Sequence, residues 1–153
     1  MSATIPLEVA PSAYAGLIGV ARRDTTPPPG IYARMWGAAT HDRAEGVHRP
    51  LSTTVLALQA GPSEPVRLLV AIDLALLGDL GALSDAQRIL GPVRDALDLT
   101  DGRLLVNCSH THSAPWAATS RSNLPGGELI GPYLDQLGQA LLEAGTEAVA
   151  GLA

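Results

Sequence analysis

One long apolar stretch limits how this chain can fold. Residues 66–77 form the strongest apolar run of the sequence, and only Arg67 and Asp73 interrupt it. A short apolar run bounded by turn residues is typical of a strand buried in a sheet. Gly61–Pro65 forms a turn in front of it, and the partly alternating, β-branched segment Leu51–Ala60 precedes that turn. The two segments are therefore predicted to pair as a hairpin with a loop of about five residues.

Two further strands are predicted outside the hairpin, at Ala15–Ala21 and at Arg103–Ser109. Between the hairpin and the last strand, Ser84 can cap a helix that runs through Leu97. Gly91-Pro92 lies inside this helix and is predicted to kink or split it. The apolar stripe of the helix comprises Leu83, Ala86, Ile89, Leu90, Val93 and Leu97.

A second helix is predicted near the end of the sequence, with Pro132 in its first turn. Its apolar stripe comprises Leu134, Leu137, Leu141 and Ala148. The order strand, loop, strand, strand, helix, strand, loop, helix predicts an α/β fold with a mixed β-sheet and flanking helices. The loop at residues 31–50 is long for a compact domain, and loops of that kind are often functional.

Composition narrows the range of functions that this chain could have. The net charge of −5 argues against a nucleic-acid-binding surface. Cys108 is the single cysteine, so an internal disulfide is excluded. Cys108 is either a soft metal ligand or a small residue buried in a strand. No segment approaches eighteen consecutive apolar residues, and no transmembrane segment is predicted.

Two histidines follow the last strand directly. His110 and His112 are separated by one residue and lie just past the apolar segment Leu104–Val106. In an extended segment, residues i and i+2 point to the same face, so both imidazoles could enter one cavity. Imidazole is a common ligand of zinc, and the context favours a metal site over two solvated histidines.

His48 and Asp73 are the other candidates for a site. His48 lies in the long loop, where its spacing alone favours a surface histidine. Asp73 is a carboxylate in an apolar strand and needs a partner. It could orient an imidazole, or it could accept backbone N–H groups in a bend. Ser109 and Ser113 flank the histidines, but neither lies in a Gly-x-Ser-x-Gly elbow, which disfavours a serine hydrolase.

Four segments, in the same order, resemble the N-terminal part of the neutral/alkaline non-lysosomal ceramidase family. They are Gly19–Pro28, Gly46–Leu51, Val70–Leu74 and Ser109–Pro115, the last resembling a Thr-His-Thr-His-Ser-Gly-Pro motif. The resemblance covers roughly residues 16–148.

The resemblance implies a zinc-dependent amidase that cleaves the N-acyl bond of ceramide into a fatty acid and a sphingoid base. His110 corresponds to a Zn²⁺ ligand, and His112 to an active-site histidine that polarises the carbonyl or moves a proton. His48 and Asp73 match motif positions and are given a supporting role. Trp116 adds bulk where the family has a small backbone turn, so the resemblance does not fix the shape of the substrate.

The predicted domain organisation combines a segment read from the sequence itself with a domain implied by the resemblance. Residues 1–13 are predicted to be a loose leader, and residues 14–153 the N-terminal portion of a ceramidase-like catalytic domain, an incomplete part of a larger zinc-hydrolase domain. The expected partners are a lipid-like N-acyl amide substrate and either a missing C-terminal portion or a second copy. The absence of a signal peptide favours a cytoplasmic location, although members of the family are often secreted.

Two other interpretations compete with the resemblance. The amidohydrolase barrels also place His-x-His at the end of a strand, but a barrel of about 250 residues needs far more chain than follows Pro115. The second alternative is a non-catalytic α/β module, truncated or dependent on a partner. Such a half-domain is expected to expose a large apolar patch.

Overall fold

A mixed four-stranded sheet forms the centre of the fold. The computed structural model describes residues 15–79, 83–100 and 102–153, so the predicted leader at 1–13 lies outside the described residues. The strands are β1 (Leu17–Asp24), β2 (Ser52–Gln59), β3 (Arg67–Ile72) and β4 (Leu104–Cys108). They lie in the order β1-β2-β3-β4, with antiparallel pairs β1–β2 and β2–β3 and the parallel pair β3–β4. The predicted mixed sheet and its hairpin are confirmed.

Two helices cover one face of this sheet and make the fold α/β. Helix α1 (Leu83–Ala96) connects β3 to β4, and helix α2 (Ile130–Ala150) follows β4. Alternate strand residues such as Val55 and Val70 are fully buried under the helices. Helix α2 lies very close to β1 at Gly19, where a Cβ atom would be 1.9 Å from the carbonyl oxygen of Ala148. No helix among the described residues is long and apolar enough to cross a membrane.

Helix α2 confirms its predicted stripe, because Leu134, Leu137, Leu141 and Ala148 are all fully buried. Helix α1 departs from prediction at its start. Ser84 lies inside the first turn and is not the cap, and Leu83 is 71% exposed. Asp85 is buried instead, because its carboxylate accepts hydrogen bonds from the backbone N–H and the hydroxyl of Thr119.

Of the kink or split predicted at Gly91-Pro92, the split does not occur, since one continuous helix runs through both residues. Pro92 lacks the N–H that would bond to the carbonyl of Arg88. That carbonyl lies against α2 at Gly138, where a Cβ atom would lie 3.0 Å from it. Packing of the two helices therefore holds α1 together across the proline.

Strand β3 is shorter than predicted because it ends at Ile72. The Asp73 backbone N–H still bonds to the carbonyl of Ser52 at 3.0 Å, but Leu74 turns back to the carbonyl of Ile72. Asp73 therefore follows the strand and is not embedded in it. The long loop is confirmed as irregular, with one isolated bridge between Tyr32 and Arg43.

The other sheet face is uncovered by the described residues. It carries Ile18, Val20, Leu56, Leu58, Leu69 and Leu105, and we call it the open sheet face. Its most exposed members are Val20, at 61%, and Leu105, at 65%.

Candidate active site

The two histidines lie in a turn at the carboxyl end of β4. We call residues 109–113 the histidine turn. The Ser109 backbone N–H donates to the carbonyl of Ile72 at 2.9 Å, and that of His110 donates to the carbonyl of Leu74 at 3.0 Å. These bonds extend the parallel β3–β4 pairing beyond both strands. The prediction that the histidines lie at the rim of a strand is confirmed.

The predicted extended geometry is wrong, because His110 has a φ of +56°. This is the left-handed region, which side chains other than glycine rarely adopt. The argument that residues i and i+2 share a face does not apply across such a residue. The two imidazoles nevertheless come together, with ring centroids 5.2 Å apart and an interplanar angle of 76°.

The tautomer of His110 is fixed by its neighbour. The Nδ1 atom lies 2.9 Å from the carbonyl oxygen of Ala75. Since a carbonyl oxygen only accepts, Nδ1 carries the proton and donates it in the neutral ring. The lone pair is then on Nε2, which is the arrangement of a metal-binding histidine held by an outer carbonyl. His110 therefore has the chemistry of a single zinc ligand.

His112 packs against an aromatic residue from the long loop. Trp36 stacks on the His112 ring, with centroids 4.6 Å apart and an interplanar angle of 24°. Trp36 also lies edge-on to His110 at 6.4 Å. Both histidines remain exposed at the surface. Trp36 was not predicted as a site residue, and only its place in a long loop pointed to a functional segment.

A second tryptophan lies next to Trp36, beside the histidine turn. Trp116 lies 6.2 Å from Trp36, and its indole N–H donates to the carboxylate of Asp79 at 2.9 Å. The Ser120 hydroxyl also bonds to Asp79. The guanidinium of Arg121 covers the Trp116 ring at 4.3 Å. The bulk of Trp116 is thus held in one orientation beside the histidine turn.

Asp73 bonds to the start of β2. Its Oδ2 accepts the backbone N–H of Ser52 at 2.9 Å and the Ser52 hydroxyl at 3.1 Å. Partial burial raises the pKa of Asp73, but bonds from Ser52 and Ser109 and the charge of Arg22 outweigh it, and the net pKa is below the usual value. Of the two roles left open by the sequence, the structure shows the one in which Asp73 accepts a backbone N–H in a bend.

His48 and Asp73 line a cleft next to the histidine turn. The cleft has a volume of about 340 Å³, and Thr111 and Ser113 of the turn form part of its wall. Its apolar lining includes Pro28, Ile31, Val47, Pro50, Leu51 and Pro115. His110 and His112 are not among the residues that line it. The four predicted residues therefore occupy two adjacent places and form no single cluster.

The described residues do not complete a zinc site. No group of three His, Cys, Asp or Glu side chains among them could hold a metal ion. Cys108 is half-buried, and burial raises the pKa of its thiol, which disfavours the thiolate that a metal needs. A catalytic zinc takes three protein ligands. One imidazole fits the role of a ligand, and the remaining ligands would have to come from elsewhere.

These observations define an α/β fold whose candidate site lies at the carboxyl ends of two parallel strands. The fold is similar to that of neutral ceramidase from Pseudomonas aeruginosa, with a TM-score of 0.71 at 15% identity. It is also similar to a structure of ceramidase complexed with C2, with a TM-score of 0.68 at 14% identity. No protein-family model and no curated protein matches the sequence.

Each structural comparison covers 92% of this chain and 22% of the ceramidase chain. This chain therefore corresponds in fold to a small part of those proteins. At this level of identity, the similarity establishes a shared fold.

Proposed function

We propose that this chain is the N-terminal portion of the catalytic domain of a zinc-dependent amide hydrolase of the neutral ceramidase type. Its substrate would be a lipid with an N-acyl amide bond, cleaved to a fatty acid and an amine. One observation carries the proposal: in a fold that is similar to neutral ceramidase over 92% of the chain, His110-Thr111-His112 lie in the turn that follows the last strand.

The two histidines have different roles in this proposal. His110 supplies one zinc ligand through Nε2, because its Nδ1 proton is donated to the carbonyl of Ala75. His112 polarises the amide carbonyl or moves a proton, and its stacking on Trp36 restricts the ring to one orientation. A positioned general acid or base typically contributes about 10²–10⁴ in rate.

The cleft is proposed to take an apolar part of the substrate. Its proline-rich, aliphatic lining suits an alkyl chain, and it opens beside the turn that carries the histidines. His48 contributes to the wall of this cleft. Asp73 supports the site indirectly, since its bonds to Ser52 tie the start of β2 to the end of β3.

The proposal is tested by zinc content and by hydrolysis of N-acyl-sphingosine, measured on this polypeptide and on the full product of its reading frame. In the active form, His110→Ala is expected to lose zinc and activity together. His112→Ala is expected to keep zinc and lose about 10²–10⁴ in kcat. His41→Ala is the matched control, because His41 is an exposed histidine of the long loop. It should leave both quantities unchanged.

Absence of zinc and of hydrolysis from both polypeptides would contradict the proposal. Equal losses in His41→Ala and His112→Ala would remove the assigned role of His112.

The second candidate is a non-catalytic module that depends on a partner. The observation in its favour is that the described residues hold no three-ligand metal group. Under this hypothesis, the full product of the reading frame binds no zinc, whereas the first proposal requires that it does.

A further inference from the structure

A row of four flat side chains crosses the candidate active site. The ring centroids of His112 and Trp36 are 4.6 Å apart, and those of Trp36 and Trp116 are 6.2 Å apart. The guanidinium carbon of Arg121 lies 4.3 Å from the centroid of the Trp116 ring. Aromatic rings interact favourably at centroid distances of about 4.5–7 Å, and a cation within about 6 Å of a ring is attracted to it. Each member of the row therefore lies within interaction range of the next.

Trp116 is anchored to the fold by both its ring and its backbone. Its indole N–H donates to the carboxylate of Asp79 at 2.9 Å, and Arg121 covers its ring. Its carbonyl accepts the backbone N–H of Ala118 at 2.8 Å. Ala117 and Ala118, which follow it in the chain, are buried. Trp116 therefore offers a fixed surface to its neighbour in the row.

Trp36 and His112 lack anchors of this kind. Trp36 belongs to the long loop and is 42% exposed. Within the part of the chain that the structure describes, neither the indole N–H of Trp36 nor the imidazole of His112 forms a hydrogen bond. His110 differs, because its Nδ1 bonds to the carbonyl of Ala75. The orientation of the His112 ring therefore depends on packing along the row.

We propose that Trp116 is a positioning residue for His112. It holds Trp36 against the imidazole, and Asp79 and Arg121 hold Trp116 in turn. This inference rests on the proposed function, in which His112 acts on the amide carbonyl. A general acid or base must lie within hydrogen-bond reach of the group that it serves, so a ring that turns away loses its effect. Trp116 acts only through Trp36 in this role and does not touch the reacting atoms.

The test uses nuclear magnetic resonance of the four histidine rings in the nitrogen-15-labelled chain, with His112→Asn to identify the His112 signals. Because the imidazole is stacked on an indole, the ring current should shift its carbon-bound protons upfield. Trp36→Leu should abolish this shift, and Trp116→Leu should reduce it. Trp116→Phe should retain most of it, because phenylalanine keeps an aromatic face between Trp36 and Arg121.

Leu105→Ala is the matched control, because it removes a large side chain that is 65% exposed on the open sheet face. It should leave the His112 signals unchanged. If Trp116→Leu does not fold, Asp79→Ala gives the same test, since it frees the indole without removing it. The inference would be overturned by His112 signals that stay in place in these variants, or that move as far in Leu105→Ala.

Kinetics of the active form give the second readout. Trp116→Leu is expected to lower kcat by up to about 10²-fold, with KM and zinc content unchanged, because the effect is on the placement of one catalytic ring. A raised KM with unchanged kcat would overturn the positioning role and would show that Trp116 binds substrate. Absence of hydrolysis from both polypeptides contradicts the proposed function, whereas the resonance experiment decides separately whether Trp116 orients His112.

Discussion

His110 combines an unfavourable backbone conformation with a well-defined side chain. Its φ of +56° is costly for a residue with a Cβ, by roughly 1 kcal/mol or more. The backbone hydrogen bond to the carbonyl of Leu74 and the ring hydrogen bond to the carbonyl of Ala75 hold it there. Strain of this kind is concentrated at functional sites, because the surrounding structure must stabilise it.

Asp73 should make stability depend on pH. The net pKa of this carboxyl is below its usual value, so its stabilisation is present above the unfolded-state pKa, near 3.8. It is lost as the pH falls through the lower folded-state pKa. We expect Asp73→Asn to reduce the free energy of unfolding by about 1–2 kcal/mol near pH 7, since a charged acceptor of Ser52 is lost.

Urea unfolding at neutral and acidic pH measures this effect. The difference between the parent chain and Asp73→Asn should shrink as the pH falls below the unfolded-state pKa, near 3.8. Asp95→Asn, which changes an exposed carboxylate on α1, is the control and should show little effect at either pH. A difference that is constant with pH would contradict the role of charge at Asp73.

The sequence predicted which residue types form the candidate site, but not how they are arranged. The apolar segment in front of the His-x-His pair correctly predicted that both imidazoles lie at the end of β4. The left-handed turn at His110 could not be predicted, since it depends on bonds to a different strand end. Trp36 and Asp79 were missed because their contacts are between residues far apart in the chain.

At the scale of elements, two glycines in helices should differ in their response to alanine. Gly91 lies in α1, and a Cβ atom added there would have nothing within 4 Å apart from its chain neighbours. Helix propensity favours alanine there by roughly 0.5–1 kcal/mol, but Pro92 follows directly, and a residue with a Cβ before proline is disfavoured in the helical conformation. Gly91→Ala should therefore change the free energy of unfolding by less than about 1 kcal/mol. Gly145 lies in α2, and a Cβ there would be 2.8 Å from the Val93 side chain. Gly145→Ala should destabilise it by about 1–3 kcal/mol through overpacking.

The free energies of unfolding of the two variants, measured by chemical denaturation under identical conditions, test this prediction. The same substitution in the two helices serves as its own control, because propensity favours alanine in both. Equal effects would show that the α1–α2 contact at Gly145 is loose enough to accept a methyl group.

The elements themselves were largely predictable because their signals are local. Alternation identified β2, and a 3.6-residue period identified α2, whose stripe is buried as expected. The predictions that failed involve contacts between elements. β3 ends early where Leu74 turns back to the carbonyl of Ile72 and Asp73 bonds to Ser52 of β2, and α1 continues through Pro92, where α2 packs against it.

At the scale of the whole molecule, the fold should be stable without metal. The described residues include no three-ligand group, so zinc has no complete site among them that would stabilise the folded chain. Dialysis against EDTA is expected to leave the melting temperature of this polypeptide unchanged. A fall in that temperature, reversed by added zinc, would show that this chain assembles a complete metal site.

The two tryptophans make the candidate site visible by optical methods. The sequence has two tryptophans in all, and both lie beside the histidine turn, 6.2 Å apart. Trp36 contacts an imidazole, and Trp116 contacts a guanidinium. Excitation that selects the tryptophans over the tyrosines therefore reports on the surroundings of the histidine turn. The intrinsic fluorescence of the native chain is a label-free reporter of ligands that reach the histidines.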